Sequence, residues 1–237
     1  METRVGAEGN ADGPERARAV ESLTVVPNAA ALHAELFAEF PEPAVKTVSR
    51  LEREAKELAN RSLAYGEIPF PTVDAIFQLL RNEFGVLLDK GGNFYDLGSG
   101  CGKVIMAAVL LHDFSKCCGL EILDGLHAIA LKALDHWRYK LLDDLPATKA
   151  DVNVSFAKDD ATKGELWKDA TLVFCNSTCF SDSLLRAISD GADQLNVGTY
   201  FITITKPLVS KQWQTLLEQK FPMSWGRATV IVQRKVI

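Results

Sequence analysis

The stretch from Asn93 to Leu111 constrains the fold of this 237-residue chain more than any other. An apolar and aromatic run ends in Asp96, three glycines follow at every second position up to Gly102, and an apolar helical pattern then begins. This order predicts a strand, a tight turn and a helix. Glycine permits positive φ and lets a ligand approach the main chain, and the helix start offers unpaired N–H groups. A plain turn closing a βα unit is the alternative.

Strand and helix patterns alternate after this turn, which predicts an α/β fold with a mostly parallel sheet and right-handed crossovers. The strand patterns lie at 93–96, 116–121, 152–156, 171–175 and 200–205. The helical patterns between them lie at 103–111, 124–142 and 181–195, the last capped by Ser181 or Asp182.

The last part of the chain departs from this alternation. A short helix is predicted at 212–219, and two strands at 224–227 and 228–235 are expected to form an antiparallel hairpin with its turn near Gly226. The predicted sheet therefore ends in an antiparallel hairpin strand.

The chain before the sheet is predicted to be a helical extension. Residues 1–22 lack apolar periodicity and are expected to be a disordered lead. Residues 23–90 form a helical region and residues 91–237 form the core that holds the sheet. Helices are expected at 28–40, 44–62 and 73–83, the last capped by Thr72, and a loop without regular structure at 63–71.

Composition limits the function classes. The net charge of -5 argues against a protein that wraps nucleic acid with its whole surface. The sequence contains no stretch of ~20 apolar residues, so no membrane span is predicted. The N-terminus lacks a signal pattern. The five cysteines are odd in number and without zinc-site spacing, which indicates an intracellular protein with free thiols and no metal centre.

Polar side chains stand where the predicted strands end, and ligands bind at that edge of a parallel sheet. Glu121 suits two ribose hydroxyls, and Asp160 could accept from an adenine amine. Asp96 would repel a pyrophosphate but attract the ammonium of an amino-acid tail, and no phosphate-gripping loop is present. With Asn176, these residues favour S-adenosylmethionine over a dinucleotide, although each alone could be a turn residue.

Several motifs resemble the disruptor-of-telomeric-silencing family, the histone lysine methyltransferases without a SET domain. They are Tyr65-Gly66-Glu67, Asp96-Leu-Gly-Ser-Gly-Cys-Gly102, Gly119-Leu-Glu121, Val173-Phe-Cys-Asn176-x-x-x-Phe180, Ile204-Thr-Lys206-Pro207-Leu208 and Ser224-Trp225. The resemblance covers residues 63–225. The glycine motif resembles the first motif of class I methyltransferases, and that motif alone is shared by a very wide superfamily. It implies the Rossmann-like class I methyltransferase fold, a nuclear location and histone-lysine N-methyltransferase activity with S-adenosylhomocysteine as product.

The same resemblance implies a role for each matching residue. Glu67, Asp96, Gly98 and Gly100 would surround the methionine end, Glu121 the ribose and Asp160 the adenine amine. Asn176, Phe180 and Tyr65 are the implied catalytic residues, with Asn176 beside the methyl group and Phe180 walling the lysine channel. The full implied cofactor set is Tyr65, Gly66, Glu67, Asp96, Gly98, Ser99, Gly100, Gly102, Lys103, Glu121, Ile122, Asp159, Asp160, Ala161 and Asn176.

The sequence departs from the family pattern at four positions: Ser177 and Thr178 after the strand-four Asn, Ala161 for an aromatic, and Lys103 for a frequent Gln. The lysine channel is therefore less well supported than the cofactor site. No general base is evident, because the four histidines fall in helical or interhelical stretches away from the strand ends.

Alternative functions stay open. The target could be a protein other than a histone, because basic residues that could dock on a nucleosome are limited to a few near the C-terminus. They are Lys206, Lys211, Lys220, Arg227, Arg234 and Lys235. A degenerate fold that serves as a binding scaffold is a second alternative, and a dinucleotide oxidoreductase is disfavoured by the glycine spacing.

Overall fold

A computed structural model describes residue 24, residues 26–58 and residues 61–237, and the predicted disordered lead at 1–22 lies outside them. A seven-stranded sheet forms the centre of the molecule. The strands are β1 (Asn93–Leu97), β2 (Lys116–Glu121), β3 (Asn153–Lys158), β4 (Leu172–Cys175), β5 (Tyr200–Ile204), β6 (Trp213–Met223) and β7 (Gly226–Lys235).

The order of the strands across the sheet is β3-β2-β1-β4-β5-β7-β6. Strands β1 to β5 pair in parallel, and β7 runs antiparallel to both β5 and β6. The predicted α/β class, with a mostly parallel sheet and an antiparallel C-terminal hairpin, is confirmed. Because β1 lies between β2 and β4, the chain changes direction across the sheet there, and such a switch point opens a crevice at the carboxyl ends of the strands.

Helices cover both faces of the sheet. One core cluster joins the N-terminal helices, α4 and α5 to one face, and the other joins α6 and the segment around Trp167 to the opposite face. All residues from Val104 to Leu110 are buried, which explains why α4 has no polar face. The helices are α1 (Ala29–Leu36), α2 (Glu42–Ala55), α3 (Phe70–Phe84), α4 (Lys103–Leu111), α5 (Asp124–His136) and α6 (Asp182–Ala192).

The N-terminal helices pack directly on this sheet layer. Helix α1 contacts α3 and α4, and α2 contacts α5. Leu36 of α1 and Phe77 of α3 belong to the same apolar cluster as Phe94 of β1. The burial of these side chains ties the helical region to the sheet, while its boundary at residue 90 stays a prediction.

The predicted helix at 212–219 is wrong, because those residues belong to the long strand β6. Gln, Leu, Glu and Lys favour helices in isolation, but propensity is a weak prior that tertiary pairing overrides. Here β6 pairs with β7 from Trp213 to Met223, with one irregularity between Thr215 and Leu217. The predicted hairpin is present, but Ser224 and Trp225 form its turn instead of a strand.

The prediction that Thr72 caps α3 is wrong. The loop predicted at 63–71 also ends earlier than predicted, because α3 begins at Phe70. Pro69 is the N-cap, Phe70 is the first helical residue and Pro71 lies in the first turn, where proline's fixed φ suits a helix and its missing N–H costs nothing. The buried Thr72 hydroxyl instead donates to the Pro222 carbonyl at 2.7 Å.

Other helices are shorter than predicted. Helix α1 ends at Leu36, α2 at Ala55 and α6 at Ala192, and α5 gives way at Trp137 to a π-helical turn that runs to Leu141. Ser181 is the N-cap of α6, and its hydroxyl accepts from the Leu184 N–H at 3.2 Å.

Two further expectations concern the thiols and the membrane. The cysteines are all free, and only Cys179 is exposed. Within the described ranges, no helix combines the length and the apolar character needed to cross a bilayer.

Candidate functional site

A cavity of about 390 Å³ lies at the carboxyl ends of β1, β2 and β4. The glycine turn forms its floor, and the segment from Ser62 to Ile68 covers it from the N-terminal side. Every residue of the predicted cofactor and catalytic sets lines this cavity except Gly102. The structure therefore brings together side chains that are up to 115 positions apart in the sequence, Tyr65 and Phe180.

The three glycines of the turn all have positive φ but serve different purposes. A Cβ on Gly98 would meet no atom within 4 Å, so this residue leaves open space in the cavity wall. A Cβ on Gly100 would lie 2.7 Å from the Tyr65 ring, and one on Gly102 would lie 2.5 Å from the Phe156 ring. Gly102 thus permits close packing of α4 behind the site and contributes no surface to the cavity.

Asp96 ends β1 beside the cavity and is only 3% exposed. Burial, and secondly the charge of Glu121, raise the pKa of its carboxyl well above the usual range. Among the described residues, no Lys or Arg forms an ion pair with it. An ionised Asp96 is therefore costly unless a cation enters the cavity.

Glu121 ends β2 and connects that strand to the glycine turn. Its Oε2 accepts from the Gly100 N–H and its Oε1 from the Leu123 N–H, both at 2.8 Å. Burial raises the pKa of this carboxyl, although the two N–H groups act in the opposite direction. Each carboxylate oxygen has a second lone-pair direction, so Glu121 can still accept from a ligand.

Glu67 is the third carboxylate of the cavity and, unlike Asp96 and Glu121, has a cation beside it. Its Oε2 lies 2.6 Å from Lys103 Nζ, and both side chains are mostly buried. Its Oε1 accepts from the Tyr65 hydroxyl at 3.0 Å. The Lys103–Glu67 pair cancels its own charge, and Asp159 is paired with Lys163. Asp96, Glu121 and Asp160 are therefore the cavity carboxylates without an ion-pair partner among the described residues.

Tyr65 stays a neutral phenol in this network. Its oxygen lies 2.9 Å from Cys101 Sγ, and because its proton goes to Glu67, the thiol is the donor in that contact. Burial, followed by the nearby Cys101 and Glu67, raises the pKa of Tyr65 above its usual range, and burial raises the pKa of Cys101 to about 11. Neither group can take up a proton at neutral pH.

The turn between β6 and β7 supports the Tyr65–Glu67 loop from outside, a role that the sequence analysis missed. Ser224 and Glu67 bond twice, from the Glu67 N–H to Ser224 Oγ and from the Ser224 N–H to the Glu67 carbonyl, both at 3.1 Å. A Cβ on Gly66 would lie 2.6 Å from the Trp225 ring. The Gly-Glu and Ser-Trp dipeptides were visible in the sequence, but nothing there indicates that they touch.

The loop after β3 is shaped by its own acidic residues. Asp160 Oδ1 accepts from the Thr162 N–H at 2.9 Å and from its hydroxyl at 2.8 Å. Asp159 Oδ1 accepts from the Asp160 N–H and from Lys163 Nζ, both at 2.7 Å. Both residues line the cavity next to Ala161. Their hydrogen bonds are those of residues that shape a turn, which is the alternative role that the sequence leaves open for them.

The loop after β4 carries the predicted catalytic pair. Asn176 Oδ1 accepts from the Thr178 hydroxyl at 2.9 Å, which leaves the amide nitrogen of Asn176 directed elsewhere. The buried Ser177 hydroxyl reaches the carbonyls of Ile204 and Lys206, both at 2.8 Å. Ser177 and Thr178 are two of the positions at which the sequence departs from the family pattern. Their hydroxyls stabilise the loop that presents Asn176 and Phe180 to the cavity.

None of the four histidines lines the cavity. His33 contacts the main chain of a cavity residue, because its Nε2 is 2.9 Å from the Lys103 carbonyl at the start of α4. Burial lowers the pKa of His33 to about 4, which keeps its ring neutral. The histidines thus lie outside the cavity wall, and the absence of a general base stays a prediction.

Solved structures share this fold. TrmN from Thermus thermophilus has a TM-score of 0.56 and 16% identity over 78% of this chain and 53% of that chain. The magnesium protoporphyrin IX methyltransferase ChlM from Synechocystis PCC 6803, solved with bound SAH, has a TM-score of 0.51 and 13% identity over 82% of this chain and all of that chain. The fold is thus the Rossmann-like fold of class I methyltransferases, and this chain spans about half the length of TrmN.

The family is shown by the sequence itself. The profile of the family described as histone methylation protein DOT1 matches residues 45–222, so the chain belongs to that family of S-adenosylmethionine-dependent methyltransferases. The resemblance to the disruptor-of-telomeric-silencing family is thereby confirmed. No sequence of a curated protein matches this chain.

Proposed function

We propose that this protein is an S-adenosylmethionine-dependent protein-lysine N-methyltransferase whose target is a core histone in the chromatin of the nucleus. One observation carries the proposal most: a DOT1-family chain holds two buried carboxylates, Asp96 and Glu121, at the switch point of its sheet. Uncompensated negative charge in a half-closed cavity suits a cationic nucleoside, and S-adenosylmethionine carries both a sulfonium and an ammonium group.

The proposed orientation of the cofactor follows from the cavity's polar groups. Asp96 would take the ammonium of the methionine tail, next to the Lys103–Glu67 pair. Glu121 would accept from the ribose hydroxyls with its remaining lone pairs, and Asp160 from the adenine amine. When bound, the cofactor supplies an electrophilic methyl group and carries the leaving thioether.

The chain's own contribution to the reaction is alignment and exclusion of water. Phe180 and the apolar wall around it would strip water from an entering lysine, which lowers the amine's pKa and favours the neutral, nucleophilic form. Asn176 would hold the amine in line with the methyl group. With Tyr65 and Cys101 both protonated, the proton of the lysine leaves to solvent before attack.

A second candidate is methylation of a protein other than a histone, and the positions of the C-terminal basic residues favour it. Lys235 is buried and bonds to Gln212 and to the Ile237 carbonyl. Lys206 donates to the Phe180 carbonyl. The other four, Lys211, Lys220, Arg227 and Arg234, are exposed. They do not form one patch, because Lys220 and Arg227 lie near the hairpin turn and Arg234 lies near the opposite end of β7, whereas docking on nucleosomal DNA needs clustered cations.

Labelled S-adenosylmethionine distinguishes these candidates. The protein is incubated separately with nucleosomes, with free core histones and with lysate from cells that lack the enzyme. Label on a histone lysine supports the proposal, and label confined to other lysate proteins supports the second candidate. Absence of cofactor binding in calorimetry would contradict both and leave a scaffold without activity.

A further inference from the structure

Glu52 of α2 caps a helix that is not its own. Its Oε1 accepts from the Asp124 N–H at 2.8 Å and its Oε2 from the Gly125 N–H at 2.7 Å. These are the first two N–H groups of α5, which have no partner inside that helix. The Glu52 side chain is only 12% exposed. A carboxylate in this place both satisfies the free donors and complements the positive end of the helix dipole.

The packing of α2 on α5 is an independent sign that the contact is built into the fold. A Cβ on Gly125 would lie 2.5 Å from Val48 Cγ1 and 3.2 Å from Glu52 Oε2. Glycine at this position therefore lets α2 approach closely enough for the carboxylate to reach. Lys56 lies 2.6 Å from both Glu52 Oε1 and Asp124 Oδ2 and closes the junction on its exposed side.

This junction connects two walls of the cavity. On one side, α5 begins directly after Ile122 and Leu123, and the Leu123 N–H holds the Glu121 carboxylate at 2.8 Å. On the other side, α2 leads into the segment that covers the cavity, where Leu58 and then Ser62 to Ile68 are lining residues. Glu52 thus bonds the start of α5, directly after the end of β2, to the helix that precedes the covering segment.

We propose that Glu52 is a positioning residue for the cofactor: it holds Glu121 and the covering segment at the spacing that the nucleoside requires. The inference rests on the proposed function, since the ligand is the same S-adenosylmethionine. Without the Glu52 carboxylate, the N-terminus of α5 loses two hydrogen bonds to α2, and its spacing from the covering segment is less tightly held. Binding must then order both walls, and that ordering lowers the affinity.

Calorimetry with S-adenosylmethionine tests the role of Glu52 in the full chain. We expect Glu52→Gln to raise the dissociation constant about tenfold, at the upper end of what a carboxylate at a helix N-terminus contributes. Glu54→Gln is the matched control, because Glu54 lies on the same helix and, among the described residues, forms an ion pair with the exposed Arg50 alone. Lys56→Met removes the outer ion pair and leaves both N–H bonds of Glu52, so its effect should be small.

Two further readouts separate positioning from general stability. The melting temperature of the free variant should fall little, and in turnover assays KM for the cofactor should rise while kcat stays near the wild-type value. Glu52→Asp, which keeps the charge but shortens the reach, should weaken binding similarly and serves if Glu52→Gln fails to fold. Equal affinity of these variants and the wild type overturns the inference, whereas a wild type that binds no cofactor overturns the proposed function as well.

Discussion

Asp96 and Glu67 are both buried carboxylates of one cavity, yet their surroundings give them opposite properties. Glu67 is paired with Lys103 and accepts from the Tyr65 hydroxyl, so its charge is satisfied inside the protein. Asp96 has the Glu121 carboxylate as its main electrostatic neighbour, and its pKa is raised. Glu67 is thus a fixed part of the wall, whereas Asp96 has no ion-pair partner among the described residues and is the proposed site for a cation from outside.

The Asp96→Asn variant should be more stable than the wild type at neutral pH in the absence of cofactor. An acid whose pKa is raised in the folded state stabilises the fold while it is protonated, below the unfolded value of about 3.9, and loses that contribution as pH rises through the raised pKa. Asparagine does not titrate and avoids the burial of a charge. Urea unfolding at several pH values between 4 and 8 measures the difference, which should grow as pH rises.

The same variant should bind S-adenosylmethionine more weakly, because the ionised carboxylate is the proposed partner of the ammonium. Wild-type affinity should increase with pH through the raised pKa, and the Asn variant should lose that dependence. If both proteins show the same affinity and the same pH profile, the methionine end of the cofactor lies elsewhere.

Gly100→Arg should abolish cofactor binding. The φ of +56° disfavours any side chain, and a Cβ would already lie 2.7 Å from the Tyr65 ring, so the longer arginine displaces the covering loop or fills the cavity. Gly198→Ala is the control, because its φ of +93° is also strained while its Cβ faces open space. Calorimetry that finds wild-type affinity in Gly100→Arg would count against this location of the site.

Asn176→Ala should keep cofactor binding and lose turnover. The proposed role of Asn176 is to orient the attacking amine, and the loss of one oriented polar group in an active site lowers kcat by about 10²–10³-fold. Thr178→Val is a useful companion, since it removes the hydroxyl that donates to Asn176 Oδ1 and that also contacts Thr205 Oγ1. Unchanged turnover with Asn176→Ala places the methyl transfer beside another residue.

At the scale of elements, the hairpin turn between β6 and β7 controls the position of the Tyr65–Glu67 loop. We expect Trp225→Ala to weaken cofactor binding by about threefold to tenfold, since an aromatic contact contributes ~0.5–1.5 kcal/mol. The melting temperature should change little because Trp225 is 39% exposed. Tyr139→Ala, at an 81% exposed aromatic, controls for the loss of surface area. Equal affinity of the two variants for the cofactor would mean that the turn does not influence the site.

The strands and the residues at their ends could be predicted because their signals are local. Each of β1 to β5 is a short apolar run between turn residues, and parallel strands bring their carboxyl ends to one edge. The Lys103–Glu67 pair and the contact of Trp225 with Gly66 could not be predicted, because each joins segments that only the fold brings together. The same limit explains the wrong helix at 212–219, where partner strand β7 decides the conformation.

For the whole molecule, a buried polar cluster far from the cavity joins three distant parts of the chain. Lys149 is fully buried, and its Nζ lies 2.6 Å from Asp113 Oδ1 and 3.1 Å from the His112 carbonyl. Asp113 Oδ2 also accepts from the Thr24 N–H at 2.9 Å. This cluster, composed of Thr24, His112, Asp113 and Lys149, fixes the start of the described chain and the segment before β3 to the end of α4.

Removing one member of this cluster should destabilise the fold without changing the site. We expect Lys149→Met to lower the free energy of unfolding by about 3–5 kcal/mol, because it leaves the Asp113 carboxylate buried without its cation. The double variant Lys149→Met with Asp113→Leu should recover most of the loss, since a buried ion pair is replaced by apolar groups. Urea unfolding measures both, and calorimetry should give wild-type cofactor affinity for whichever variant remains folded. A double variant no more stable than Lys149→Met would mean that Asp113 supports the fold mainly through Thr24 rather than through the ion pair.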